Sequence, residues 1–159
     1  MPSSDSVVSL REITSDNFKE ILRLKVTPRQ ESFVASNDRS IAEAHFDRQA
    51  WYRGIYADEH PVGFLMLADE NLDPAYDEPE CCSLWRLMID ARYQRLGFGR
   101  KALELVVDHV RAHPNATMLL ASYLPGDGSP EQFYHEFGFT PTGEMDGNEI
   151  VISYDLEGD

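Results

Sequence analysis

The most regular pattern of apolar and polar positions begins near Gly97. Apolar residues recur there at every fourth position, with two more beside them. The set is Phe98, Ala102, Leu103, Val106, Val107 and Val110. A helix has 3.6 residues per turn, so this spacing places all of these side chains on one face. Proline cannot continue a helix. The pattern therefore predicts an amphipathic helix that begins near Gly97 and ends before Pro114.

Shorter apolar runs predict strands on both sides of this helix. Residues 61–67 and 83–89 are apolar runs that an acidic, proline-containing loop joins at residues 69–80, which indicates a hairpin with a long loop. Alternating patterns indicate three further strands, the last of them after a turn at residues 146–147. These strands are predicted at residues 7–13, 117–123 and 150–156.

Three further helices are predicted from apolar spacing and capping residues. One begins near Asn17, after the hydroxyl and carboxylate groups of residues 14–16, and the others cover residues 40–51 and 130–137. Strands and helices thus alternate along a chain of 159 residues, which is long enough for one domain with a substantial core. The sequence predicts a single α/β domain over residues 1–159.

The charge of the chain is strongly negative. Asp and Glu number 28 against 14 Lys and Arg, a formal net charge of −14. Such a chain repels nucleic acid and anionic lipid outside a local basic patch, so we expect neither as a partner. A cationic partner fits the charge, and solubility in a salty cytoplasm explains it equally well. The start of the sequence has no basic segment followed by a long apolar run, and we expect a cytoplasmic protein that does not enter a membrane.

The cysteines and histidines give no sign of a covalent or metal framework. Cys81 and Cys82 are neighbours, and neighbouring cysteines rarely meet the geometry of a disulfide, so we expect two core thiols. The histidines lack metal-ligand spacing with one another or with the cysteines. The sequence therefore predicts no metal site.

A glycine-containing turn stands between a predicted strand and the long helix. Free backbone N–H groups at the start of a helix attract anions, and Gly97 and Gly99 would let phosphate oxygens approach them. Arg95 and Arg100 flank these amides and could add charge-assisted hydrogen bonds to a diphosphate. A plain tight turn is the alternative. A dinucleotide fold is disfavoured because no third glycine follows, and the missing GK[ST] excludes a phosphate-loop NTPase.

Two motifs resemble the GNAT N-acetyltransferase superfamily. The segment QRLGFG at residues 94–99 is similar to its acetyl-CoA signature, Q/R-x-x-G-x-G/A. The segment EQFYHEFGF at residues 131–139 is similar to its late motif, a short helix with Phe-Tyr followed by Gly-Phe. The resemblance runs from about residue 61 to the end. It implies a mixed, mostly antiparallel central sheet, flanked by helices and splayed at the acetyl-CoA site.

The resemblance also implies acetyl-CoA as co-substrate and assigns residues to it. Backbone groups of the strand before the signature would pair with the pantetheine arm, and Tyr134 would be the general acid that protonates the departing thiolate. Asp127 stands where the family often has an asparagine that contacts the pantetheine or the diphosphate. An acidic turn residue is an equal alternative for Asp127. The implied cofactor-binding residues are Leu87, Met88, Ile89, Gln94, Arg95, Leu96, Gly97, Phe98, Gly99, Arg100, Asp127 and Tyr134.

A narrower resemblance concerns the acceptor. Residues 30–37 and 85–90 are similar to bacterial spermine/spermidine acetyltransferases, which implies a small cationic polyamine that attacks the thioester directly in a ternary complex. Glu31 and Glu80 could help to form an electronegative cleft for such a cation, with a solvated surface charge as the alternative for each, and Trp85 is the third candidate substrate-binding residue.

Several alternatives remain open at this point. An enzyme that acetylates an aminoglycoside or a protein N-terminus could have the same acetyl-CoA-binding motifs. A non-catalytic acyl-CoA sensor would keep the turn but would not need the hydroxyl of Tyr134. Trp85 and Arg86 stand where many relatives carry an acidic residue, so no general base is identified. A homodimer is also left open.

Overall fold

One mixed sheet contains every strand of the described chain. The structure is a computed structural model that describes residues 1–157, so the last two positions of the predicted 1–159 domain lie outside it. The spatial order is β1-β2-β3-β4-β5-β7-β6, and all neighbours are antiparallel except β4 and β5. The strands are β1 (Val8–Arg11), β2 (Ala50–Ala57), β3 (His60–Asp69), β4 (Cys82–Ile89), β5 (Met118–Tyr123), β6 (Thr140–Asp146) and β7 (Glu149–Asp155). The predicted α/β fold is confirmed.

Helices cover both faces of this sheet because successive strand residues point to opposite sides. In β3, Leu65 and Leu67 pack in a core cluster with the apolar face of the long helix, whereas Phe64 and Met66 pack on the other side with Ile21. None of the described helices is long and apolar enough to cross a membrane. The helices are α1 (Phe18–Leu22), α2 (Asn37–His45), α3 (Phe98–Arg111) and α4 (Glu131–Phe137).

The sheet opens at its one parallel pair. The backbones of β4 and β5 are in register only at Ser83 and Leu120. Beyond Ser83, the edge of β4 that faces away from β3 has no strand partner in the described part of the chain. The splay implied by the resemblance is therefore present, and it leaves backbone N–H and C=O groups of β4 without a strand partner on one side.

One predicted helix boundary was wrong, and two strands were not predicted. The second helix ends at His45 instead of continuing to residue 51, and Ala50 begins the strand β2, which the sequence did not predict. Strand β6 was also missed. Strand β2 is held between β1 and β3, and strand β6 pairs with β7, and this pairing outweighs the local pattern. The remaining strands and helices agree with prediction to within a few residues.

The prediction of two free thiols was also wrong. Cys81 and Cys82 are buried as expected, but they are joined by a disulfide. Side chains of neighbouring strand residues normally point in opposite directions. Cys81 immediately precedes β4 and has a positive φ of 98°, which breaks this alternation. Both sulfur atoms are therefore on the same side.

Candidate active site

A large cleft lies at the opening between β4 and β5. Its volume is about 1410 Å³, and its walls come from the loop before α2, the start of α3, helix α4 and the turn between β6 and β7. The fold brings most of the predicted site residues together here. Those that line the cleft are Glu31, Trp85, Leu87, Met88, Ile89, Gln94, Arg95, Gly97, Phe98, Gly99, Arg100 and Tyr134.

The start of α3 forms one end of the cleft. Gly97 is the N-cap of the helix in a left-handed conformation, with φ of 87°, which glycine adopts without steric cost. The first N–H groups of a helix have no partner within the helix, so they are free for a ligand. A Cβ atom at Gly99 would lie 3.3 Å from the ring of Phe133, so little space is left for a side chain at that position. Arg95 and Arg100 are exposed beside these amides.

Gln94 connects the glycine turn to the opposite wall. Its side-chain amide donates hydrogen bonds to the backbone oxygen of Ile89, at 2.9 Å, and to the side chain of Gln30, at 2.8 Å. Gln30 in turn donates to Gln94 at 3.2 Å. Gln94 thus holds the end of β4 and the loop before α2 in fixed positions. This role is structural and does not depend on a ligand.

Two predicted cofactor residues do not line the cleft. Leu96 is half-buried and packs against the apolar core. Asp127 is exposed and forms an ion pair with Arg29, another exposed residue. The structure therefore places Asp127 in a surface ion pair close to the cleft and gives Leu96 a packing role.

Tyr134 lies in the wall of the cleft on α4. Only 7% of the residue is exposed, and its ring packs against those of Phe133, Phe139 and Tyr123. Burial raises the pKa of Tyr134 above its ordinary value, and the negative charge of Glu149 raises it further. The phenol is therefore protonated at neutral pH and can serve as a proton donor.

Several carboxylates also line the cleft. Glu31 is exposed there, and Asp47, Asp146 and Glu149 line the same cleft. The last three were not predicted. The turn at residues 146–147, which carries Asp146 and precedes Glu149, was recognised, but its position over the cleft depends on the pairing of β7 with β5. Glu80 is not among them, since it lies at a second cleft of about 830 Å³.

A half-buried arginine stands next to these carboxylates. Arg86 in β4 donates a hydrogen bond to Glu43 of α2 at 3.1 Å, and this ion pair offsets its charge. Trp85 lines the cleft beside it. No predicted residue supplies a general base, and Glu149 is the carboxylate whose charge acts on both Arg86 and Tyr134.

The splayed sheet and the glycine-started helix beside it define the class of the protein as an α/β acetyltransferase. A family model described as the acetyltransferase (GNAT) family matches residues 9–139. The chain therefore belongs to the GNAT acetyltransferase family.

Individual relatives agree with this assignment. The chain is 30% identical, over 147 residues, to the spermine/spermidine N(1)-acetyltransferase of Bacillus subtilis, which covers 89% of this chain and 93% of that protein. A crystal structure of an acetyltransferase from Thermus thermophilus has the same fold, with a TM-score of 0.73 at 19% identity, covering 98% and 99% of the two chains. A PaiA N-acetyltransferase from Thermoplasma acidophilum, solved with coenzyme A, gives a TM-score of 0.65 at 14% identity, covering 94% and 99%.

Proposed function

We propose that the protein transfers an acetyl group from acetyl-CoA to a primary amine of a polyamine such as spermine or spermidine. One observation carries the proposal. The start of α3 with two exposed arginines, a buried tyrosine and several carboxylates all line a single cleft. The same cleft therefore has groups suited to an anionic cofactor and groups suited to a cationic amine.

The chain's own groups fit acetyl-CoA. The N–H groups after Gly97 would hold the diphosphate, with charge from Arg95 and Arg100, and the unpaired edge of β4 would hold the pantetheine arm. A Cβ atom at Gly99 would narrow this space. When bound, acetyl-CoA supplies the activated acetyl group as a thioester.

Tyr134 would act as the general acid. Its raised pKa keeps a proton on the hydroxyl oxygen, and Tyr134 lines the cleft in which the thiolate would leave. A backbone N–H within residues 87–89 of β4 would polarise the carbonyl, as an oxyanion hole made from main chain. The amine would attack directly while both substrates are bound, so no covalent intermediate on the protein is needed.

Polyamine specificity is supported by charge and by similarity. A multivalent cation is attracted by Glu31, Asp47, Asp146 and Glu149, in a chain whose net charge is −14. A relative of 30% identity is named a spermine/spermidine N(1)-acetyltransferase. We also propose that the protein is cytoplasmic and consists of a single domain.

The proposal is tested by measuring thiol release from acetyl-CoA with a panel of amines. We expect turnover with spermine and spermidine, and slower turnover with putrescine, an aminoglycoside and a short peptide. Efficient turnover with only the aminoglycoside or the peptide would identify that compound, and not a polyamine, as the acceptor. Binding of acetyl-CoA without turnover on any amine would support an acyl-CoA sensor instead.

A further inference from the structure

Four metal-binding side chains converge at the start of β4, away from the active-site end of that strand. They come from three separate segments of the chain: the end of β3, the beginning of β4 and the turn after α3. One ligand atom from each lies within 4.8 Å of all the others. The residues are Asp69, Cys81, Cys82 and His113. The acetyltransferase site uses none of them.

The first three of these residues are buried, and Asp69 is only 1% exposed. A carboxylate at that depth needs a cation or several hydrogen bonds. His113 lies 3.0 Å away, from Nε2 to Oδ2 of Asp69. Oδ1 of Asp69 accepts hydrogen bonds from both the backbone and the side chain of Asn71, each at 2.9 Å. Asp69 is therefore held in one orientation, with Oδ2 directed at the histidine.

His113 is oriented as metal-binding histidines usually are. Its Nδ1 lies 3.2 Å from the backbone oxygen of His109. A carbonyl oxygen only accepts, so Nδ1 carries the proton, and in a neutral ring the lone pair of Nε2 then faces the carboxylate. This contact between Nε2 and Oδ2 needs a positive charge, which either a proton on Nε2 or a bound cation can supply. A ligating histidine that donates its other N–H to a carbonyl is the common outer-shell arrangement around zinc.

From this geometry we infer that the reduced protein binds one Zn²⁺ ion, or another thiophilic divalent cation, through Asp69, Cys81, Cys82 and His113. Two thiolates, one imidazole and one carboxylate are all zinc ligands, and together they give the closed set of four that structural zinc sites have. The positive φ of Cys81 directs both sulfur atoms to the same point. The ion would tie the ends of β3 and α3 to the start of β4, and would brace the acidic loop between β3 and β4.

Binding requires that the disulfide first be opened. An external dithiol supplies two electrons to the S–S bond and becomes a disulfide itself, while each cysteine sulfur gains a proton. Both thiols then release their protons to water as the thiolates bind the metal. A reducing compartment, such as the predicted cytoplasm, favours this open form. Under oxidising conditions the disulfide and the Asp69–His113 pair replace the metal.

Cobalt(II) is a direct probe, because its bonds to thiolate give charge-transfer absorption that zinc lacks. The chain is reduced with a phosphine, freed of reductant under argon and titrated with Co²⁺. We expect the thiolate band to saturate at one ion per chain and Zn²⁺ to abolish it by displacement. The oxidised chain should show no band. A reduced, folded chain without this band would overturn the inference.

Matched variants identify the ligands. Cys82→Ser and His113→Gln should each weaken Co²⁺ binding by at least about tenfold, and Cys82→Ser should also reduce the thiolate band. His135→Gln removes an exposed imidazole on α4 and should change neither. As an independent readout, Zn²⁺ should raise the Tm of the reduced wild type and not that of the two ligand variants. Equal Co²⁺ affinity in His113→Gln and the wild type would show binding to surface carboxylates and contradict the site. If Cys82→Ser does not fold, the Co²⁺ affinity of His113→Gln alone decides whether the inferred site exists.

Discussion

The hydroxyl of Tyr134 is the group on which the proposed chemistry depends most. Tyr134→Phe removes this oxygen and retains the ring that packs against Phe133 and Phe139. We expect kcat to fall by about 10² or more, the usual scale for a general acid, with coenzyme A affinity nearly unchanged. Steady-state kinetics and calorimetry measure the two quantities.

A second phenol provides the control. Tyr123 also stacks in this aromatic cluster, but its hydroxyl donates a hydrogen bond to Glu131 and does not line the cleft. Tyr123→Phe should leave kcat within about twofold of the wild type. Full turnover by Tyr134→Phe would mean that water or another residue protonates the departing thiolate.

The pKa of Tyr134 also predicts the shape of the pH profile. Burial and the charge of Glu149 raise this pKa, so the acid form persists to higher pH than in a free phenol, whose pKa is about 10. The amine acceptor becomes more reactive as it loses its proton. We therefore expect kcat to rise with pH and to show no descending limb below about pH 9.5. A descending limb that is present in the wild type and lost in Tyr134→Phe would show that the tyrosine titrates in this range.

At the scale of single elements, the start of α3 should control cofactor affinity. Gly99→Asp places a side chain and a negative charge where the diphosphate is proposed to bind. Calorimetry should show coenzyme A binding weakened by at least roughly tenfold, about 1.4 kcal/mol. Gly99→Asn adds a side chain of similar size without the charge, and it should weaken binding less. A folded Gly99→Asp variant with wild-type affinity is incompatible with this assignment.

Strand β2 shows why some elements could not be predicted. Ala50 continues the helical spacing of α2, and nothing local marks the change to a strand at that point. Gly54 does give an indication, because a glycine inside a strand often marks a position that another part of the chain approaches closely. Here the approach is that of α1, since a Cβ atom on Gly54 would lie 2.8 Å from Cδ1 of Ile21.

This close contact gives a test of the packing of α1 on the sheet. Gly54→Ala should lower the free energy of unfolding by about 1–3 kcal/mol, the usual cost of overpacking. Ile21→Val removes the atom that the new Cβ would meet, at a cost of about 0.5–1.5 kcal/mol by itself. In urea unfolding, the double variant should lose less stability than the sum of the two single variants. Strict additivity would mean that the two residues do not press on each other.

The residues that line the candidate site were found unevenly from the sequence, for a related reason. The glycine turn and Tyr134 belong to continuous motifs, so their positions in the sequence were sufficient to find them. Glu149 and Asp146 reach the cleft through the pairing of β7 with β5 and with β6, and no local pattern shows where that pairing places them. The four residues of the inferred metal site are likewise brought together only by the fold, from three distant segments.

At the scale of the whole molecule, the negative charge should steer a cationic substrate. The interaction between exposed charges is screened over about 8 Å at physiological ionic strength. Added salt should therefore lower kcat/KM for spermine more than for a monoamine of similar reach, because the tetravalent cation gains more from the field of a chain with net charge −14. Equal salt dependence for both amines would mean that the negative charge does not steer the substrate and serves solubility alone.

The most direct test of the proposed function is a competition between acceptors in one vessel. Equal concentrations of spermine, an aminoglycoside and a short peptide are mixed with limiting acetyl-CoA, and the acetylated products are counted by mass spectrometry. Product ratios under these conditions equal the ratios of kcat/KM. We predict that acetylspermine dominates by at least about tenfold, and that Tyr134→Phe lowers all products together. Predominance of the acetylated peptide or aminoglycoside would contradict polyamine specificity, and the absence of any acetylated product would contradict the proposed enzyme.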